Sequence, residues 1–76
     1  MSYGYSARLI ALNKEADSKL LGVKLGRVCI KRNIPVSLVA SSLGVSRQTV
    51  YNWFTGVNTP LNQSVDAVHA LLKSLT

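Results

Sequence analysis

The residues best equipped for chemistry lie close together, in Arg47-Gln48-Thr49-Val50-Tyr51-Asn52. A Gln or Asn amide carries a donor beside an acceptor, the pair needed to bond adenine at N6 and N7, and an Arg fork does the same at guanine O6 and N7. Thr49 and Tyr51 offer groups that suit a thymine methyl or a phosphate. If the segment is helical, Val50, Trp53 and Phe54 share one side. Gln48, Tyr51, Asn52 and Thr55 then share the other, with Arg47 exposed on the first turn. A face kept only for solubility is normally rich in Glu and Lys, and this one has neither. Hydrogen bonding through paired donors and acceptors is the chemistry these residues could do.

The charge pattern points the same way. Nine Lys and Arg against three Asp and Glu leave a formal net charge of +6, with a pI near 10.0. Between Ser18 and Val65 no residue is acidic, whereas Lys19, Lys24, Arg27, Lys31, Arg32 and Arg47 all fall there. Ordinary surfaces mix the two signs, and a long single-sign stretch suits a polyanion, nucleic acid first and an acidic membrane surface second.

The elements that must position these side chains are short helices. At 76 residues, 47% of them hydrophobic and 16% charged, the chain suits one folded domain. No sustained period-two alternation marks a strand, and no internal repeat or linker is visible. Leu9, Leu12, Ala16 and Leu20 predict a helix from about Ser6. Asp17 or Ser18 is placed to cap a second, running to about Arg32 with Leu21, Leu25 and Val28 as its apolar stripe. Lys24, Arg27 and Lys31 share another face. Val23 and Ile30 lie opposite the leucines, where either the N-terminal helix or a partner subunit would cover them. Pro35 suits the entrance of a third helix over 36–43, Gly44 a left-handed stop and Ser46 the N-cap of a fourth, which ends near Thr55 and is closed by Gly56. After Pro60, Leu61, Val65, Val68, Leu72 and Leu75 predict a helix over 61–75. The expected fold is all-α, a compact bundle of about five short helices.

The stretch PVSLVASSLGVSRQTVYNWFTGVNTP, Pro35 to Pro60, resembles the helix-turn-helix of the phage repressor and Cro proteins, the XRE family. Val39 and Ala40 precede Gly44 by five and four residues, Leu43 and Val45 flank it, and Val50 and Trp53 follow at the family's intervals. Ala40 must be small where the second motif helix crosses it, and the apolar positions lock the two helices at a fixed angle. Leu21 to Pro35 resembles the family's first helix, so the resemblance spans about 55 residues, and residues 1–20 are extra to it. It implies a λ-repressor-like DNA-binding domain with the helix-turn-helix over 36–55. It implies direct major-groove readout by a recognition helix over about 46–55, with Arg47, Gln48, Thr49, Tyr51 and Asn52 as the base-contacting set. It also implies a homodimer on a pseudo-palindrome whose half-sites lie about one helical turn apart. Phosphate clamping is expected of helix N-termini and the loop after the recognition helix, through Ser46, Thr55, Asn58 and Thr59, joined by Lys31 and Arg32, with Lys24 and Arg27 behind them. Two departures stand out. Pro35 and Val36 occupy places where the family often has a polar cap and a phosphate-binding Gln, and the exit loop has no Lys or Arg.

The remaining singular residues have plain roles. Trp53 is spaced for the core rather than for stacking on a base, and Cys29 reads as a small buried hydrophobe. His69 has neither a nucleophile nor a metal site beside it. Tyr3 and Tyr5 read as part of a disordered tail ahead of the first helix. One Cys and one His exclude a disulfide framework and a four-ligand zinc site. No catalytic residue, metal or other cofactor is expected, and the chain is not read as an enzyme. With neither a membrane span nor a signal peptide visible, a cytoplasmic protein of a bacterial cell or its phage is expected. A small Cro/repressor-like transcriptional regulator is the leading reading. Its rivals are a DNA-recognition subunit of a phage packaging, excision or replication machine, and an adaptor that docks on a protein such as a polymerase.

Overall fold

In the computed structural model, residues 5–76 are described, and they form five helices: α1 (Ala7–Glu15), α2 (Leu21–Lys31), α3 (Val36–Leu43), α4 (Arg47–Phe54) and α5 (Gln63–Leu75). Among the described residues there is no strand, and none of the helices is long and apolar enough to cross a membrane. The bundle is all-α and compact, about 32 × 23 × 22 Å. Helix α2 runs through its middle and packs on α1, α4 and α5, while α3 packs on α4 and α5.

Local chemistry explains the punctuation. Pro35 sits at the entrance of α3, where its missing N–H costs nothing. Gly44 closes α3 at φ 67°, the left-handed conformation that glycine adopts most readily. The Val45 N–H returns to Ala40 O (3.0 Å) and the Gly44 N–H to Ser41 O (3.4 Å), which satisfies the last carbonyls of the helix. Asn33 (φ 60°) ends α2 in the same way, with Ile34 N–H on Cys29 O at 2.8 Å.

Several expectations need correction. Helix α2 starts at Leu21 with no side-chain cap. Asp17 instead closes the preceding turn, its Oδ1 accepting from Lys19 N at 2.9 Å. On α1 the inward line is Leu9 and Asn13, and Leu12 is 42% exposed. Leu61 lies outside α5 and is 68% exposed, because Asn62 takes φ 52° and breaks the helical register ahead of Gln63. Tyr5 is no tail: it is 6% exposed, its hydroxyl donates to Ile34 O at 2.5 Å, and its ring stacks on Phe54 with centroids 6.3 Å apart. Tyr3 lies outside the described residues.

Residues 5–16 therefore join the core through Tyr5, Leu9 and Asn13. The Asn13 amide, 3% exposed, donates to Val23 O (3.2 Å) and Phe54 O (2.7 Å), joining three helices. Val23 is fully buried within the single chain, and Ile30 shares a cleft with Ile10 of α1. Of the stripe opposite the leucines of α2, Val23 thus has its cover inside the chain, while Ile30 stays half-buried at the cleft.

Helices α2 and α4 approach closely at Gly22 and Gly26. A Cβ on Gly22 would lie 2.7 Å from Trp53 Cβ and O, and one on Gly26 would lie 2.6 Å from Asn13 Nδ2 and 2.8 Å from Phe54 Cγ. Only a bare backbone fits there. Around this seam lie Leu25, Cys29, Val39, Val50, Trp53, Phe54 and Val68, all buried.

Burial also sets an alkaline limit on the fold. It pushes the Cys29 thiol from its ordinary 9.0 up to about 11. The Tyr5 hydroxyl is raised too, by burial first and then by Cys29 and Tyr51. Both groups ionise more easily in the unfolded chain, so their contribution to stability is complete below the unfolded values and is lost as pH rises above them. The thermal midpoint should hold steady up to about pH 8 and fall as Cys29 and then Tyr5 begin to ionise in the unfolded chain. Cys29→Ala should flatten the first part of that fall, as pH-dependent thermal melts would show.

Candidate nucleic-acid interface

The unit formed by α3, the turn and α4 presents one side of α4 outward. The opposite side is anchored by Val50, Trp53 and Phe54, each at most 5% exposed. Ser46 caps α4, its Oγ accepting from Thr49 N at 3.1 Å. Helical periodicity then centres Gln48, Asn52 and Thr55 opposite the core, with Arg47 and Tyr51 on one flank and Thr49 on the other.

The expected side chains are not used alike. Arg47 and Gln48 are exposed, and Asn52 is half-buried. Gln48 Nε2 donates to Asn52 Oδ1 at 3.0 Å. This holds two amides side by side and leaves the Gln48 carbonyl and the Asn52 amino group turned to other partners. An acceptor beside a donor is the pattern that meets adenine in a major groove. Asn58 and Thr59 are exposed in the loop that follows, and Asn58 N–H bonds Asn52 O at 3.2 Å, which folds that loop back onto α4.

Other candidates are engaged within the protein. The Thr49 hydroxyl pairs with Ser46 Oγ at 2.9 Å, so both are turned to the helix start. The Thr55 hydroxyl donates to Tyr51 O at 2.8 Å, back along its own helix. Tyr51 is half-buried and packs against the core. Arg32 donates to Leu75 O at the end of α5, and Arg27 to Lys14 O (3.2 Å) and Ala16 O (3.3 Å) at the end of α1. Cations at these positions complement the negative ends of the helices. Lys24 and Lys31 are exposed on α2, with Lys31 at the rim of the α1–α2 cleft. The compact part of the site is Arg47, Gln48 and Asn52, with Asn58 and Thr59 beside them.

Sequence reasoning missed what α1 does for this face. Asn13 bonds the last carbonyl of α4, Tyr5 stacks on Phe54, and Arg8 lines a cleft together with Tyr51. The usable signal was the spacing of Leu9, Asn13 and Ala16 at i, i+4 and i+7, with a polar residue in the inward position. His69 is exposed on α5, and among the described residues no three His, Cys, Asp or Glu side chains gather as metal ligands would. Comparison of the chain with models of known protein families, with curated proteins and with solved structures finds no match.

Proposed function

We propose that this chain is a sequence-specific double-stranded DNA-binding protein that reads the major groove with α4, acting as a small Cro/repressor-like transcriptional regulator of a bacterial cell or its phage. The observation that carries the reading is the paired Gln48 and Asn52 amides, 3.0 Å apart, beside an exposed Arg47 on a helix whose other side is locked in the core. Asn58 and Thr59 in the following loop supply phosphate contacts beside them. The net charge of +6 draws the protein to duplex before any base is read. Two copies on a two-fold site complete the reading.

The test is an NMR titration with duplex DNA. Amide shifts should concentrate in residues 46–52 and 58–59 and leave α5 little changed. Shifts concentrated on α5 would overturn the assignment of α4 as the reading helix.

A second reading, docking on a protein, is favoured by one observation. Ile34, Leu38, Val39, Ser42, Leu71 and Leu75 line a mostly apolar groove of about 150 Å³ between α3 and α5, and Leu38 is 56% exposed. Loss of the Gln48 and Asn52 amides would leave such docking intact.

A further inference from the structure

Helix α1 brings a cation to the edge of the reading face. Ser6, Arg8, Leu9 and Leu12 of the N-terminal segment line one cleft, of about 320 Å³, with Tyr51 of α4. Tyr51 follows Arg47 by four residues, so the two share the flank of α4 that turns toward α1. Arg8 is exposed, and none of the lining residues is acidic.

The placement is fixed. The Tyr5 ring stacks on Phe54, Asn13 bonds Phe54 O, and Ala16 packs beside Gly56 just after α4. Asn13 within α1, and Tyr5 and Ala16 on either side of it, hold α1 to α4 and its exit, so a contact made by Arg8 costs only the ordering of its own side chain.

We infer that this cleft is a second DNA-contacting site, in which Arg8 takes a backbone phosphate next to the base pairs met by Gln48 and Asn52. The inference rests on the proposed DNA-binding function and extends it to α1. A DNA strand alternates anionic phosphates with sugars whose C–H faces are apolar. The cleft matches both parts: Arg8 has the fork that pairs with phosphate oxygens, while Leu12, 42% exposed, and the Tyr51 ring present apolar surface to a sugar. This also gives the reading face a cation that its exit loop lacks, since residues 56–60 carry none.

The test compares Arg8→Gln, Arg8→Lys and Lys73→Gln, the last removing one charge from an exposed position on α5. Each is titrated with the duplex preferred by the wild-type chain over a range of salt, after thermal melts have confirmed an unchanged fold. Arg8→Gln should make the slope of log affinity against log salt shallower by about one unit and weaken binding roughly fivefold near 0.15 M salt. The preferred sequence should not change. Arg8→Lys should keep most of the slope, and Lys73→Gln should change it little. Indistinguishable effects of Arg8→Gln and Lys73→Gln would overturn the site on α1 while leaving DNA binding by α4 standing. A wild-type chain that binds no duplex would instead remove the function and this site together.

Discussion

Replacing Gln48 and Asn52 together by alanine is expected to lower affinity for the preferred duplex by about 10- to 100-fold, while salt-dependent binding to unrelated duplex survives. The paired amides offer one acceptor and one donor to a base, and a good bidentate base contact contributes about 1–3 kcal/mol of discrimination. The fold should be indifferent. Gln48 is exposed and Asn52 half-exposed, and their mutual hydrogen bond is a surface pair worth only about 0.2–0.5 kcal/mol. Non-specific binding depends on cations instead, and Arg47, Lys24 and Lys31 remain. Competition titrations with preferred and scrambled duplexes separate the two quantities. Equal loss on both duplexes would mean that the amides support binding without reading sequence.

Gly22→Ala and Gly26→Ala should each lower the thermal midpoint by at least about 4 °C. In an isolated helix the same changes stabilise, because alanine exceeds glycine in helix propensity by about 1 kcal/mol. Here the added methyl has nowhere to go. At Gly22 it meets Trp53 O and Cβ at 2.7 Å and the carbonyl carbon at 3.0 Å, the backbone of α4 itself. At Gly26 it meets the Asn13 amide at 2.6 Å, the group that bonds Phe54 O. Overpacking costs about 1–3 kcal/mol and sometimes more, and in a domain of this size each kcal/mol moves the midpoint by roughly 4–8 °C. Gly22→Ala has a second consequence. Helix α4 must shift to admit the methyl, so DNA affinity should fall even where the protein is still folded. A raised midpoint would show that α2 and α4 do not pack in this way.

What was legible in the sequence was local. The bounds of α3 and the roles of Pro35, Gly44 and Ser46 follow from φ preferences and capping, which depend on near neighbours alone. The outward placement of Arg47 and Gln48 follows from helical period. Contacts between distant segments were not legible. Tyr5 and Asn13 are polar or amphipathic residues buried by partners 29 and 41 positions away; spacing aligns Asn13 with Leu9 and Ala16, but no spacing rule names those partners. Gly22 and Gly26 carry no signal of their own in the sequence, because glycine serves both to turn a chain and to let helices touch, and only the packing distinguishes the two uses. Within the candidate site, spacing placed Thr55 beside Gln48 and Asn52 on one face. Its hydroxyl is satisfied by Tyr51 O, a choice between backbone and ligand that periodicity does not determine. Arg32 likewise turns to the end of α5 rather than standing free for phosphate.

The central claim is that α4 reads base sequence, and selection from a pool of randomised duplexes near physiological salt tests it most directly. The account predicts enrichment of a two-fold symmetric motif, lost on changing Gln48 and Asn52 to alanine. An unenriched pool would contradict it, whether the chain binds every duplex alike or binds none.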